Sequence, residues 1–387
     1  MKKILIVSKC PTHLTNAGNK SWILAQTKIL QELGNKVYFL YIQELPIKQD
    51  KIGYEIDLRE TSKYWDNNFY LYKVSKFQKI IFNIRKRIDN IFYDNFYTVD
   101  ETYPWGLDEY VNKLDAQINF DVCIVNYAYL TKLLTKIHIP KKALFTHDCL
   151  AYKNLKVGNS CRTMTAHQEA IAMQRSPHIF ALQDNEMAYF QMLSPNSCVY
   201  NVYCKYDYYH QPVVGNKNIL FLSGSNEYNQ NGIRWFCRDI FPFIKERFSE
   251  TCLLIGGGIC KTITDLGDIE GVKLLGYVDK LEDFYAMGDV AINPVYQGTG
   301  LKIKTFEAIS YDKVTMVHPH STIGIFNKDE APLFASVQPK EWVEHLTLIW
   351  NNPNHIKQMK EQNKKYIQDM NEFILCEYKK FLDDEKQ

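Results

Sequence analysis

The stretch INPVYQGTGLKIKTFEAIS, residues 292–310, concentrates residue types that bind anions and hydroxyl groups. Gly298 and Gly300 follow an apolar, strand-like run and precede a helical one. Glycines there let a ligand approach the backbone, and the N–H groups of a helix's first turn attract an anion. Lys304 could reach a phosphate as a point charge. Glu307, one turn further along the predicted helix, could accept hydrogen bonds from a pair of ribose hydroxyls.

The same stretch also fits an ordinary surface helix with solvated lysines, because Lys and Glu three residues apart are common on exposed helices. Lys302 projects to another side of the helix and could reach the phosphates from the loop. Ile303, Phe306 and Ile309 are expected to face the core. Spacing alone leaves the anion site and the surface helix equally open.

Whether these lysines and Glu307 can contact a ligand depends on the strands and helices that position them. The first half of the chain alternates apolar runs with helical patterns, which predicts a parallel sheet covered on both faces. Its predicted strands are KILIVS, KVYFLYI, FDVCIVNY, KALFTHD and HIFALQ. The alternation restarts after residue 205, with predicted strands NILFLSGS, CLLIGGG, VKLLGYV, VAINPVY and VTMVHP.

The chain length of 387 residues favours two domains. We predict an N-terminal domain over 1–205, a second over 206–360, and a C-terminal helix over 361–387 that packs back on the first domain. Two parallel-sheet domains that face each other would form a cleft. Ligands bind such sheets beyond the carboxyl ends of the strands, so the informative residues should directly follow strands.

Composition excludes several classes of protein. The formal net charge of +2 gives no reason to expect a nucleic-acid partner. The ten cysteines have no metal-ligand spacing, which favours free thiols in a reducing cytoplasm. The apolar run at the N-terminus is too short for a signal peptide, and no apolar stretch has the length to cross a bilayer.

The order of motifs over residues 219–318 resembles the nucleotide-binding half of GT-B glycosyltransferases, in particular the retaining family 4 (glycosyl transferase group 1). The similarity is carried by the LGYV…L…Y turn and helix, the P…GTGLKIK…EA block and the strand after it. It implies a GT-B fold of two facing Rossmann-like domains with a C-terminal crossover helix. The N-terminal domain would bind the acceptor, and the C-terminal domain would bind a nucleotide sugar.

The resemblance also implies roles for individual residues. Glu307 would hold the ribose, Lys302 and Lys304 the diphosphate, and His147 would lie near the reacting sugar. The catalytic residues it implies are His147, Lys302 and Lys304. The donor-binding residues it implies are Gly18, Gly224, Tyr277, Val278, Gly298, Thr299, Gly300, Leu301 and Glu307.

The sequence departs from the family pattern at three places. Thr299 stands where many members carry an earlier glutamate, so the contacts to the donor sugar ring do not transfer. The first loop has one glycine, Gly18, where paired glycines are frequent. The usual G-x-P-V before the next strand is replaced by SYDKVTMV.

Sugar transfer from a nucleotide diphosphate sugar leaves negative charge on the departing phosphate. Fixed cations and a helix N-terminus aimed at that charge would stabilise the transition state. The sequence contains no D-x-D triplet, so we predict a metal-independent reaction without a cofactor. The family implies retention, with the acceptor hydroxyl attacking from the leaving-group face. A saccharide or a lipid-linked saccharide is the expected acceptor, in surface polysaccharide or glycolipid synthesis.

Other interpretations of the chain stay open at this point. It could be a catalytically silent subunit that binds a sugar nucleotide. This alternative stays open because Thr299 stands where many family members carry a glutamate. A nucleotide-sugar epimerase of the same fold would want a cluster of acids, and a phosphorylase would need a pyridoxal-bearing lysine. The run IGGGICK lacks the third glycine of a dinucleotide fingerprint, which favours a tight turn.

Acidic residues and a histidine at other strand ends have two interpretations each. His147 and Asp148, in LFTHDCLAY, are either site residues or a packed ring and a helix cap. We favour His147 as a site residue because of the family resemblance. Asp184 and Glu186 could contact an acceptor or cap the helix that follows them.

The segment KVSKFQKIIFNIRKRIDNIFYDNF, residues 73–96, is basic and amphipathic. Its apolar stripe consists of Phe77, Ile80, Ile81, Ile84, Ile88 and Ile91. Such a helix can lie on an anionic bilayer, which would place the protein in the cytoplasm at the inner face of the membrane. It can equally pack its stripe on the first domain and leave a solvated basic face, and this second interpretation is slightly favoured.

Overall fold

The computed structural model divides into two compact units. Unit 1 comprises Met1–Cys204 with Ile374–Gln387, and unit 2 comprises Lys205–Phe373. The residues that the structure describes are 1–14, 18–44, 51–92, 96–153, 163–298 and 300–384.

Within the described ranges, unit 1 contains a parallel sheet of seven strands in the order β3-β2-β1-β4-β5-β6-β7. The strands are β1 Lys3–Ser8, β2 Lys36–Gln43, β3 Phe69–Lys73, β4 Val122–Asn126, β5 Lys141–Phe145, β6 His178–Ala181 and β7 Cys198–Asn201. The inner strands are continuous apolar runs because helices cover both faces of the sheet. The edge strands β3 and β7 are not among the strands predicted from the sequence. In β3, the short run FYLYK, the apolar side chains are only half-buried.

Helices flank this sheet on the connections between strands. They are α1 Gly18–Glu32, α2 Lys51–Trp65, α3 Lys76–Phe92, α4 Leu107–Ile118, α5 Ala166–Gln174 and α6 Asp184–Leu193. The start of α5 is fixed locally, because the Thr165 hydroxyl accepts the backbone N–H of Gln168 as an N-cap.

Unit 2 repeats this architecture with a parallel sheet of six strands among the described residues, in the order β10-β9-β8-β11-β12-β13. The strands are β8 Asn218–Leu222, β9 Cys252–Gly256, β10 Val272–Gly276, β11 Val290–Asn293, β12 Val314–Val317 and β13 Leu333–Ala335. The edge strand β13 is also absent from the predicted strands. The helices are α7 Glu227–Trp235, α8 Phe241–Arg247, α9 Leu281–Tyr285, α10 Ile303–Ser310, α11 Pro339–Asn351 and α12 Pro353–Asp383.

The run NGIRWFCRDIFPFIKERF has the pattern of a single helix, but in the structure a π-helical turn, Phe236–Ile240, lies between α7 and α8. Pro242 lies at the start of α8 and has no backbone N–H to donate into the preceding turn. The missing donor explains why the regular hydrogen-bond ladder changes there.

The C-terminal helix α12 has residues in both units, but its change of unit falls at Ile374 and not at residue 361 as expected. Residues 361–373 belong to unit 2 because their side chains bind there. The Asn363 amide donates to the Lys313 carbonyl at 3.0 Å, and Asn371 exchanges two hydrogen bonds with the Tyr206 backbone.

The glycines of IGGG form the tight turn that the sequence favoured. Gly257 has a φ of +97°, and a Cβ there would lie 2.3 Å from the Ser223 carbonyl oxygen. Only glycine fits both the backbone conformation and this close approach.

Helix α3 does not pack its apolar stripe on unit 1, so the packed interpretation of this segment is wrong. Phe77, Ile80, Ile84, Ile88 and Ile91 are exposed, and the helix contacts the core through Phe82 on another face. None of the helices in the described part of the chain is long and apolar enough to span a membrane. The nine cysteines among the described residues are free thiols.

Candidate functional site

Helix α10 places Lys304 and Glu307 on one face, one turn apart, after the loop that follows β11. Phe306 and Ile309 anchor the helix, with exposed fractions of 1% and 0%. Ile303, expected in the core, is exposed at the first turn, where the chain has only just left the loop. The core packing of α10 therefore fixes where its lysine and glutamate point.

The Lys304 amine is held at the start of α7. Its Nζ donates to Asn229 Oδ1 at 2.9 Å, and the Asn229 amide donates to the Gly224 carbonyl at 3.0 Å. Burial lowers the pKa of Lys304 to about 8, and the nearby Lys302 adds to this effect while Glu307 opposes it. These contacts bring Lys304 and Gly224, which are 80 residues apart in sequence, to one place.

Glu307 is bound by a tyrosine from α9. The Tyr285 hydroxyl donates to Glu307 Oε1 at 2.8 Å, and Tyr285 itself is buried. Burial raises the pKa of the Glu307 carboxyl, whereas the Tyr285 hydrogen bond and the Lys304 charge pull it back down. Tyr285 binds only Oε1 of this carboxylate, so among the described residues Oε2 is left to accept hydrogen bonds from a ligand.

The loop before α10 is tied together by its own lysine. Lys302 Nζ donates to the carbonyls of Gly298 and Gly300, at 3.3 and 2.9 Å. The ring Nε2 of His320 lies 3.0 Å from the same Gly298 oxygen. Gly298 has a φ of +97°, a conformation that favours glycine, so the turn depends on this residue.

The neighbouring positions of this loop differ in what the structure describes. Leu301 is half-buried, and its carbonyl accepts the N–H of Ile303 at 3.0 Å. Thr299 lies outside the described residues.

Gly224, Tyr277 and Val278 follow β8 and β10 at the carboxyl edge of the same sheet. Gly224 is exposed and has free space where a Cβ would be. The Tyr277 side chain is 83% exposed, whereas Val278 packs inward against Gly256. The edge that carries Lys304 and Glu307 therefore also presents these three residues.

His147 follows β5 of unit 1 and has a φ of +65°. Its Nε2 lies 2.7 Å from Asn126 Oδ1, and its ring stacks on Tyr127 with 4.3 Å between ring centroids. Burial lowers the pKa of His147 to about 3, so the ring is neutral at pH 7. Because an amide oxygen only accepts, Nε2 carries the proton and Nδ1 keeps its lone pair. Nδ1 is buried, with no hydrogen-bond partner in the described part of the chain.

A cavity of about 370 Å³ in unit 1 is lined in part by Tyr127. Tyr127 and Tyr129 stack with 5.1 Å between ring centroids, and Lys9 pairs with Glu44 at 2.8 Å. The lining residues are Lys9, Glu44, Tyr97, Thr102, Tyr127, Tyr129, Leu150 and Lys153. Gly18 is the first residue of α1. The side-chain amide of the next residue, Asn19, donates to the Tyr127 hydroxyl at 3.1 Å.

The acidic residues at the other strand ends are bound by the protein itself. Asp148 pairs with Lys153, and Asp184 accepts from the Asn201 amide. Glu186 is buried and accepts from the Gln183 side chain at 3.1 Å and from the N–H of Leu182. These contacts fit the interpretation that the Asp184 and Glu186 carboxylates stabilise the start of α6.

Sequence reasoning missed several residues of both sites. Asn126 is the last residue of β4, and Tyr127 and Lys9 directly follow β4 and β1. Ligands bind such sheets at the carboxyl ends of the strands, so this rule could have identified all three residues. Asn229 and Tyr285 gave no such signal, because they act by contacting Lys304 and Glu307 from other helices.

One group among the described residues has the atoms to hold a metal ion: His178, Cys198 and Asp384, whose ligand atoms lie within 4.8 Å of one another. His178 and Cys198 are the first residues of β6 and β7. They therefore lie at the amino edge of the sheet, opposite the edge that carries His147.

Comparison with known proteins gives a family match for part of unit 2. Residues 216–352 match the family described as Glycosyl transferases group 1. No curated protein sequence gives a significant match.

Many solved structures share the fold. S. aureus TarM, solved with fondaparinux, alpha-GlcNAc-glycerol and UDP, is 10% identical, with 99% of this chain and 100% of TarM covered and a TM-score of 0.63. Sucrose-phosphate synthase from Thermosynechococcus elongatus is 11% identical, with coverages of 99% and 98% and a TM-score of 0.67. Anabaena HepE, solved with UDP and glucose, is 10% identical, with coverages of 99% and 100% and a TM-score of 0.63.

The solved structures agree with the parallel sheets of the two units. The chain has the GT-B fold, and its residues 216–352 match the family Glycosyl transferases group 1.

Proposed function

We propose that this protein is a retaining glycosyltransferase that moves a sugar from a nucleotide-diphosphate sugar to a saccharide or a lipid-linked saccharide. The observation that carries the proposal is the half-buried pair Lys304–Glu307 beside the glycine loop, inside the matched residues 216–352. A UDP-sugar is the first donor to test, because TarM and HepE were solved with UDP. The reaction would serve surface polysaccharide or glycolipid synthesis, in the cytoplasm or at the inner face of the membrane.

In this proposal unit 2 binds the donor. The ribose hydroxyls donate to the Glu307 oxygen that Tyr285 leaves free. The diphosphate lies against the loop Gly298–Gly300, Leu301 and the start of α10, and the backbone after β8 and β10, at Gly224, Tyr277 and Val278, contacts the phosphates and the base. Lys302 and Lys304 exchange their present partners, loop carbonyls and Asn229, for phosphate oxygens.

The chemical step follows from these charges. The bond between the anomeric carbon and the diphosphate oxygen breaks, and its electron pair stays on the diphosphate. The two lysines stabilise this charge more in the transition state than in the ground state. The acceptor oxygen forms the new bond from the same face, and the leaving phosphate takes its proton. The step needs no metal ion.

We propose that unit 1 supplies the acceptor pocket. The cavity beside Tyr127 has stacked tyrosine rings and the Lys9–Glu44 pair, a combination of apolar surface and polar groups that suits a sugar ring. The neutral ring of His147 stacks on Tyr127, which lines the cavity, and so supports this wall of the proposed acceptor pocket.

A catalytically silent sugar-nucleotide-binding subunit is the alternative to be tested, because Thr299 replaces the family's earlier glutamate. The experiment combines a thermal-shift screen of UDP-, GDP- and ADP-sugars with measurement of the free nucleotide released. We expect one donor to raise the melting temperature, as a ligand of the folded state must, and to release nucleotide slowly without acceptor. Binding without release under any acceptor would favour the silent subunit. Absence of any shift would contradict both functions.

A further inference from the structure

Helix α3 turns most of its apolar side chains to solvent and binds unit 1 partly through polar side chains. Two of its polar residues face the protein: the Gln78 amide donates to the Trp105 carbonyl at 2.8 Å, and Asp89 accepts from the Thr98 hydroxyl at 2.7 Å. Phe82 is the one apolar residue of the helix that is fully buried in the described structure. A helix that is stable only through its contacts with the core would place its apolar residues there instead.

The apolar side chains form a continuous exposed stripe. At 100° per residue they fall within an arc of about 80°. Ile84 and Ile88 in the middle of the stripe are 49% and 47% exposed. The exposed members of the stripe are Phe77, Ile80, Ile84, Ile88 and Ile91, followed by Phe92 at the end of the helix.

The charge around the stripe has one sign. The helix carries five basic residues and one acidic residue. The acid, Asp89, is turned inward and bound to Thr98. Lys76 and Arg87 border the stripe on one side, and Arg85 borders it on the other, where its guanidinium lies 5.7 Å from the centre of the half-exposed Trp105 ring. The surface is therefore apolar in the middle and cationic at its edges.

We propose that α3 is a docking surface for an anionic lipid bilayer. The stripe would enter the boundary between headgroups and acyl chains, and the bordering lysine and arginines would contact lipid phosphates. Charge decides against a second copy of this chain, because a symmetric contact would bring two cationic borders together. A bilayer with anionic headgroups satisfies both the apolar and the charged part of the surface.

The proposal is independent of the glycosyl transfer proposed above. Vesicle binding uses no donor and no acceptor, so its failure leaves the assigned donor site untouched. If both hold, the acceptor class narrows to lipid-linked saccharides, since docking would bring the enzyme to the membrane that carries them.

The experiment is flotation of the full chain with vesicles of phosphatidylcholine alone and with 30% phosphatidylglycerol, at low and high salt. The test variant is Ile84→Glu/Ile88→Glu, and the control is Leu348→Glu on α11, whose side chain is equally exposed at 48%. Since all three side chains point to solvent, the variants should fold, and circular dichroism checks this. A second variant, Lys76→Glu/Arg87→Glu, tests the charged border.

We expect the wild type and the control to float with anionic vesicles and to be released by salt. The isoleucine variant should bind at least about tenfold more weakly, because charged residues replace two inserted side chains. The lysine–arginine variant should lose its preference for anionic lipid. The proposal is overturned if the wild type stays with neither vesicle, if Ile84→Glu/Ile88→Glu floats as the wild type does, or if the wild type is a dimer in solution that this variant separates.

Discussion

The candidate sites of the two units occupy the same place in their sheets but differ in electrostatics. Each lies where parallel strands end, and burial acts against charge in both. In unit 2, Lys304 and Glu307 are of opposite sign and each supports the charge of the other. In unit 1, nothing opposes the effect of burial on His147, and its imidazole is neutral.

This difference teaches that burial alone does not decide what a site can bind. Where a buried group has an oppositely charged neighbour, the charge survives and can meet a charged ligand. Where the neighbour is a neutral amide such as Asn126, the buried group is neutral and offers a ligand no charge. We therefore expect variants in unit 2 to affect a charged donor and variants in unit 1 to affect uncharged contacts.

The largest expected effect comes from removing the half-buried cation. Lys304→Met should lower turnover of the preferred donor by about 10²- to 10³-fold, since one group that stabilises the developing charge is lost. Rates of nucleotide release measure this. The matched control is Lys340→Met on α11, whose side chain is 87% exposed, and it should leave the rate unchanged. If Lys304→Met kept its turnover within about threefold of the wild type, the contrast between the two units would fail, because catalysis would then not depend on the Lys304 charge.

The next effect concerns the carboxylate. Glu307→Gln should weaken UDP binding by about 10- to 100-fold, the value of hydrogen bonds to a charged acceptor. Calorimetric titration with UDP and with 2′,3′-dideoxy-UDP sharpens the test, because the wild type should discriminate between them and the variant should not. Tyr285→Phe removes only the bond that positions Glu307 and should have a smaller effect. Equal discrimination in all three proteins would remove Glu307 from the ribose site.

A smaller effect should appear in the pH dependence of UDP affinity. The pKa of Lys304 in the free protein is about 8, and a bound diphosphate favours the protonated amine. Above pH 8 the amine must gain a proton on binding, so affinity should fall by up to about tenfold per pH unit. Titrations between pH 7 and 9.5 measure this fall. The slope should be absent from Lys304→Met, and its persistence there would assign the titration to another group.

The smallest effect is a change in the pH dependence of stability at His147. Its folded pKa is about 3 and its unfolded pKa is near 6.5, so between these values only the unfolded chain binds the proton. The stability that neutral His147 provides is therefore full above pH 6.5 and is lost as the pH falls. His147→Asn should show a melting temperature that falls by a few degrees less between pH 7.5 and 5. Asparagine accepts the positive φ at this position. Identical slopes would mean that the ring is not buried as described.

Ten of the thirteen described strands and helix α10 could be predicted from the sequence, because buried parallel strands are continuous apolar runs and a helix repeats every 3.6 residues. The face shared by Lys304 and Glu307 follows from that period alone. The partners of these residues could not be predicted, since Asn229 and Tyr285 reach them from other helices through tertiary packing.

Helix α3 shows the limit of periodicity more clearly. The period correctly gives the stripe of isoleucines but cannot tell which side of the helix contacts the core. That choice depends on Trp105 and Thr98, whose backbone and hydroxyl groups satisfy the polar side of the helix. The conclusion that the stripe packs on the first domain failed because local pattern contains no information about these distant neighbours.

The chain path through α12 has a consequence for synthesis on the ribosome. Tyr378 and Phe381, near the end of this helix, pack on Phe180 of β6, with 5.1 and 4.8 Å between ring centroids. Unit 1 thus consists of the first 204 residues and a segment that is translated only after all of unit 2. During synthesis, the Phe180 side of the N-terminal sheet stays uncovered until the segment with Tyr378 and Phe381 leaves the ribosome. Unit 1 is therefore synthesised first but completed last.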